Sequence, residues 1–240
     1  MAVAQLRNPG IGYGLCPNMS RGPLRDPRVR RALAKLIDRA ALQPILDSVG
    51  YAAATSVLAA PTRGYRDCAA ELAYDPAAAR RLLDAAGVDL SLEVVFNSTF
   101  SPVDAELLAA VAAQWAAHGV RLVLADVDFA ELRDRQQSGD YDFRFLYFTG
   151  ADPDVLRFQF GFDQRNMNRR TRCDDLDRML DAQLSCPDVD ARRVQVHQIQ
   201  RQIIADGRWL PICDVRTVTS FRPENVSGVR LDAEALTRIP

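Results

Sequence analysis

Between residues 74 and 148 the spacing of apolar side chains switches repeatedly between a helical and an extended period, and this alternation constrains the fold more than any other feature. Asp75 and Pro76 open a helix whose apolar face is Ala79, Leu82, Leu83 and Ala86, with Gly87 as its stop. Residues 90 to 96 read as a strand with Leu92, Val94 and Phe96 on one face. Residues 102 to 118 form a long helix through Leu107, Leu108, Val111 and Trp115, ended by Gly119. A second strand at 120 to 125 is apolar enough to be central; a short helix over 129 to 137 ends at Gly139, and a third strand runs from 141 to 148. Strands joined by helical crossovers predict an α/β fold: an open, mostly parallel sheet with helices on both faces and right-handed connections. Two further helices near 174 to 184 and 190 to 206, then a strand at 210 to 215, complete the ordered pattern.

Upstream lies PLRDPRVRRALAKLIDRAAL, residues 23 to 42. Asp26 is a good N-cap and Pro27 falls at the first helical position, where its missing N–H costs nothing. Val29, Leu33, Leu36, Ile37 and Ala40 follow at helical spacing and form one apolar stripe. Taken alone this is an ordinary amphipathic helix. Its word order, PL-x-D-x-R-VR-x-AL-x-x-x-IDR, resembles the opening signature of the C-terminal lobe in the family 5 extracytoplasmic solute-binding proteins of peptide, oligopeptide and nickel ABC importers. Further segments match that family in the same order: YDPAAARRLLDAAG at 74 to 87, GDYDFRFLYFTGADPD at 139 to 154, NMNRRTRCDDLDRML at 166 to 180, and ARRVQVHQIQRQIIADGRWLPI at 191 to 212. The resemblance spans residues 12 to 230 and implies the C-terminal lobe of a type II periplasmic binding protein.

On that basis residues 1–22 are expected to be a crossing segment left from an N-terminal lobe, 23–209 the C-terminal α/β lobe, and 210–240 a return strand and tail. The two ends are then expected to pack poorly, to pair with each other or to find a partner. Members of the family are about twice as long and carry a leader. The residues after Met1 lack a basic start, an apolar core and a cleavage site, so the chain reads as truncated and, as it stands, cytoplasmic, although the resemblance implies a periplasmic or extracytoplasmic place.

Composition narrows the alternatives. A net charge of −1 gives no bulk attraction to nucleic acid or an anionic membrane. The arginine run at 165 to 172 (Arg165, Arg169, Arg170, Arg172) meets Asp174 and Asp175 at once and lacks interleaved aromatics, so it reads as a solvated loop. Cys16, Cys68, Cys173, Cys186 and Cys213 show no zinc-like spacing, and no metal or cofactor is expected. In an oxidising compartment Cys173 and Cys186 are a conceivable pair; buried or unpaired thiols are the alternative. The only histidines, His118 at a helix end and His197 within a helix, stand near no nucleophile-elbow or zinc motif, and GIGYG at 10 to 14 has no phosphate-cradling context. An enzyme is not expected.

Ligands of open α/β sheets sit beyond the carboxyl ends of the strands. Asn97, Ser98 and Thr99 form a polar cluster at one such end, with a loop or helix-cap role as the alternative. At the end of YDFRFLYF, alternation puts Tyr141, Phe143, Phe145 and Tyr147 on one face and Asp142, Arg144, Leu146 and Phe148 on the other. Tyr147, Phe148 and Thr149 lie where strand becomes loop, and the resemblance implies an aromatic wall of the binding cleft there. It also brings Asn166 or Asn168 toward the cleft. Asp152 and Asp154 read as the cap of a short helix. Peptide binders that hold a free amine carry an additional acidic residue before this DPD turn, where Ala151 or a gap stands here. The candidate ligand-binding set is therefore Tyr147, Phe148, Thr149, Asn97 and Asn168.

The implied function is solute capture for an ABC importer of peptides or related small solutes, with a permease as partner and no nucleic acid. Rival readings are a non-binding remnant, an interaction module that self-associates through its exposed interlobe surface, and the solute-sensor domain of a regulator.

Overall fold

The computed structural model describes residues 2–88, 90–99, 101, 103–162, 173–222, 230–231 and 237–238. Its centre is a six-stranded mixed sheet built from β2 (Gly10–Pro17), β3 (Ala52–Ala53), β4 (Ser91–Phe96), β5 (Arg121–Asp126), β6 (Phe143–Thr149) and β7 (Leu210–Asp214), in the order β3-β7-β2-β6-β4-β5. The α/β alternation of the middle of the chain yields a parallel half, with β4 parallel to both β5 and β6. The other half is antiparallel, because β2 enters between β6 and β7 and runs against both.

Helices cover both faces. On one side α1 (Pro27–Lys35), α2 (Gln43–Ser48), α3 (Pro76–Ala86) and α4 (Val103–Ala116) close a core that contains Leu33, Leu92, Val94, Trp115 and Phe143. On the other, α6 (Val155–Phe160), α7 (Asp174–Leu184) and α8 (Val189–Ala205) close a second core around Ile11, Leu58, Leu176, Ile199 and Trp209. The connection between β5 and β6 is α5 (Phe129–Ser138). Among the described residues no helix is long and apolar enough to cross a membrane, and no cluster of His, Cys, Asp or Glu could hold a metal ion.

Local chemistry sets several helix ends. Asp26, Asp75, Asp128 and Asp188 each accept a backbone N–H in the first turn of their helix, at 2.7–2.9 Å. Gly87 and Gly139 end α3 and α5 in the left-handed region, at φ +63° and +79°. Two expectations are corrected. The helix of residues 23 to 42 stops at Lys35: Asp38 turns the chain by accepting the N–H groups of Ala40 and Ala41, so Leu36 and Ile37 stay buried outside the helix while Ala40 is exposed. The strand expected to be central, β5, is an edge strand that pairs with β4 alone, and Arg121 and Val123 on one of its faces are exposed, Val123 by 37 %.

The chain ends lie differently from one another in the fold. β1 (Ala2–Arg7) and β8 (Arg216–Phe221) pair antiparallel as a separate two-stranded sheet, so these terminal segments pair with each other, whereas β2 and β7 are internal strands of the main sheet. A smaller ribbon joins β9 (Arg230–Leu231) and β10 (Thr237–Arg238). All five cysteines are free. Cys173 and Cys186 flank the eleven-residue α7, which holds them on the order of 20 Å apart by helical rise, far beyond disulfide reach.

GIGYG explains how β2 fits its slot. A Cβ on Gly14 would lie 2.3 Å from Trp209 Nε1 and 2.7 Å from the Leu210 carbonyl oxygen. The glycines serve close packing of strand on strand. Gly14→Ala is expected to destabilise the fold by roughly 1–3 kcal/mol, read from the urea midpoint; a change within experimental error would show that the indole moves freely.

Candidate ligand-binding face

Gly12 and Gly14 of β2 lie against β7 and Trp209, and the larger side chains Tyr13 and Leu15 turn to the face covered by α4. Tyr13 stacks on Phe145 of β6, with centroids 4.6 Å apart and planes 10° off parallel. It also meets Tyr147 at 4.7 Å and Tyr51 at 6.4 Å. Beside these rings, at the carboxyl ends of β4 and β6 and the start of α4, a cavity of about 370 Å³ is lined by Tyr13, Tyr51, Asn97, Asp104, Arg144 and Tyr147, among others. Its position is where ligands of α/β sheets collect.

Asp104 is the unusual group of this cavity. It sits in the first turn of α4, is only 3 % exposed, and its Oδ1 is buried with no hydrogen-bond partner. Burial raises its pKa from 3.8 to about 6, against the opposing pull of the Ser101 and Tyr13 hydroxyls. Tyr13 and Tyr51 are both pushed up, chiefly by burial and further by the Asp104 charge, so their hydroxyls keep their protons at neutral pH. The result is an anionic carboxylate edged by aromatic rings and neutral hydroxyl donors.

Of the sequence candidates, Tyr147 and Asn97 are brought together here. Tyr147 is 40 % exposed and presents its ring to the cavity. Asn97 is buried and its amide is already used: Nδ2 donates to the Val127 carbonyl at 2.7 Å, and Oδ1 accepts the Thr99 N–H at 2.9 Å and the Thr99 hydroxyl. Ser98 donates through its N–H and hydroxyl to Asp126, at 2.9 and 2.5 Å, so the polar cluster ties β4 to β5. Phe148 is turned by strand alternation to the other face, where it meets Phe158 edge-on at 6.1 Å. Thr149 is exposed at the end of β6, opposite Gly10. Asn166, Asn168 and the arginine run lie outside the described residues.

Asp152 accepts the Asp154 N–H at 2.9 Å and pairs with Arg192 of α8 at 2.7 Å. Burial pushes its pKa up, but Arg192 and that N–H outweigh this and hold it below the usual carboxylate value. It is thus a turn-forming and helix-anchoring residue. His118 shares a 3.0 Å hydrogen bond with the Tyr74 hydroxyl instead of contacting helix carbonyls. Sequence reading missed Tyr13, Tyr51 and Asp104. The one available signal was Tyr13 as the sole bulky polar side chain in a glycine-rich strand; nothing local marks Asp104.

An α/β lobe with helices on both faces of its sheet is the fold of the type II periplasmic binding proteins. The chain belongs to the bacterial extracellular solute-binding proteins, family 5, whose "family 5 Middle" model matches residues 3–168. It is 27 % identical over 234 residues to Di/tripeptide-binding protein 3 of Pseudomonas aeruginosa, covering 91 % of this chain and 43 % of that protein. Among solved structures, the Escherichia coli murein tripeptide binding protein MppA superposes with a TM-score of 0.79 at 24 % identity, over 90 % of this chain and 44 % of that one. The ABC transporter substrate binding protein CtaP of Listeria monocytogenes gives 0.80 at 22 % identity, over 90 % and 46 %. The chain therefore spans less than half the length of the relatives it matches.

Proposed function

We propose that this chain supplies one wall of the ligand site in the solute-capture component of an ABC importer for peptides or related small solutes, working with a membrane permease outside the cytoplasm. The observation that carries this reading is the Tyr13–Tyr51–Tyr147 cavity with its buried carboxylate at the carboxyl ends of the parallel strands. Relatives named for di- and tripeptide binding support the ligand class. Tyr147 and the margin of Asn97 are the sequence-chosen residues that fit this wall; Thr149 at its rim and Asn168 are assigned to the ligand only by family resemblance.

The physical mechanism is enclosure. An aromatic wall removes one side of a ligand from water, and an opposing lobe closing about a hinge removes the other. The first half of that burial alone gives weak binding, since the ordering cost of association is met by only part of the contact area. Binding by this wall requires no nucleophile or general base.

The test is titration of the isotope-labelled 240-residue chain with trialanine, read by NMR. Trialanine is expected to bind in the millimolar range and to shift Tyr13, Tyr51 and Tyr147 resonances. Tyr147→Ala is expected to weaken binding about fivefold, equivalent to roughly 1 kcal/mol, at a modest cost in stability because the side chain is 40 % exposed and lies outside the fully buried core. Shifts confined to other surfaces, or unchanged affinity in Tyr147→Ala, would overturn the reading.

A further inference from the structure

A buried carboxylate is stable when it is protonated, hydrogen-bonded or paired with a cation. Asp104 meets these conditions only in part at neutral pH: the Ser101 and Tyr13 hydroxyls favour its charged form, but the buried Oδ1 has no hydrogen-bond partner, and among the described residues the carboxylate makes no ion pair. The cation that shares the cavity lining, Arg144, places its guanidinium carbon 5.9 Å from the Tyr141 ring centroid. The rest of the lining includes the rings of Tyr13, Tyr51, Phe145 and Tyr147 and the polar side chains of Asn97 and Ser101. Aromatic faces attract organic cations, and the attraction grows when the cation is desolvated. A carboxylate adds a charge-assisted hydrogen bond from N–H donors, stronger and shorter than a neutral one. The two together select a nitrogen cation over a neutral or anionic group of the same size.

We infer that the Asp104 cavity is a cation subsite, which takes a primary ammonium or guanidinium group of the ligand between the carboxylate and the rings of Tyr13, Tyr51 and Tyr147. This rests on the reading of the face as a ligand wall and names the chemistry of one part of it. The volume of about 370 Å³ accommodates a side-chain-sized group, and the cavity is partly open to solvent. The arrangement also accounts for a buried carboxylate whose Oδ1 is left without a partner: the ligand completes it.

The experiment compares pentylammonium with 1-pentanol, which matches its length without the charge, on the labelled chain and on Asp104→Asn, with trialanine titrated in parallel. The expected result is at least tenfold tighter binding of pentylammonium than pentanol, with shifts at Tyr13, Tyr51 and Tyr147, and loss of that preference in Asp104→Asn. A second readout needs no variant: saturating pentylammonium is expected to lower the pKa of the Asp104 carboxyl carbon titration. Equal affinities, a preference that survives in Asp104→Asn, or an unmoved Asp104 titration overturns the subsite. If trialanine binds the face and pentylammonium does not, the subsite falls and the ligand wall stands. If pentylammonium binds and trialanine does not, the subsite stands and the peptide reading falls. If neither binds, both fall.

Discussion

Asp104→Asn is expected to make the protein more stable at pH 8 and to leave its stability unchanged near pH 3. Burial raises this carboxyl from 3.8 to about 6 in the folded chain, which corresponds to about 3 kcal/mol of differential interaction between its two protonation states. The sign follows from proton uptake. Between pH 3.8 and about 6 the folded state holds more protons at this site than the unfolded state, so stability falls as pH rises through that window. Above it, the folded protein carries the whole cost of an unpaired buried anion; below it, both states are protonated and the site contributes nothing. The cavity is open to solvent on one side, which screens part of that charge, so a gain of roughly 2 kcal/mol is the expected size for the asparagine variant at pH 8. Thermal or urea unfolding of both proteins across pH 3 to 8 gives the measurement. A variant less stable than the wild type at pH 8 would mean that the carboxylate is satisfied internally and has no need of a ligand. A stability gain that comes with lost cation binding is the pattern of a residue held for function at the expense of the fold.

The parts of the molecule legible in the sequence are those decided within a turn or two. Asp26 and Asp75 cap helices because the acceptor and its N–H partners are neighbours in the chain, and Gly87 and Gly139 stop them by adopting a positive φ. The alternation in residues 141 to 148 likewise assigns Phe143 and Phe145 to one core and Leu146 and Phe148 to the other. What escaped depends on distant residues. Nothing near β5 says whether a second neighbour will pair with its outer edge, so an apolar strand passes for a central one. The insertion of β2 between β6 and β7 joins residues 10–17 to 143–149 and 210–214, a pairing set by glycines that allow Trp209 and the β7 backbone to approach. The candidate site divides in the same way. Tyr147 is marked by its place at a strand end, whereas Asp104 looks like any acidic residue in a first helical turn until Tyr13 and Tyr51 close over it.

The signature at residues 23 to 42 owes its form to a buried arginine, and Arg39→Met is expected to cost more stability than any other single change proposed for this chain. Arg39 is 8 % exposed, and its guanidinium donates to three backbone carbonyls: Pro211 at 2.8 Å, Leu72 at 2.7 Å and Ile37 at 3.2 Å. It therefore ties the turn after α1 to β7 and to the loop before α3. The unwinding at Lys35 serves that role, since continued helix would carry Arg39 around to a different face. Burial pushes its pKa down to about 10, with Asp38 opposing, so it remains charged at neutral pH. Two effects compete on its removal. Releasing a desolvated guanidinium is favourable, by several kcal/mol in the general case. Leaving three buried carbonyls without a donor costs about 1–3 kcal/mol each, and methionine, which keeps most of the apolar stem, supplies no donor to any of them. The carbonyls come from separate segments that cannot turn to new partners together, so the second effect wins. The expected net loss for Arg39→Met is about 3–5 kcal/mol in urea unfolding, and Arg39→Lys, with one ammonium for three widely spread acceptors, falls between the variant and the wild type. Arg30, five residues inside the same signature from Arg25, anchors α1 to the carbonyls of Leu24, Arg25 and Asp206 in the same manner. A loss below about 1 kcal/mol for Arg39→Met would show that the desolvation of the guanidinium balances its hydrogen bonds; the measured cost thus decides whether the signature is a staple of the fold or a tolerated burial of charge.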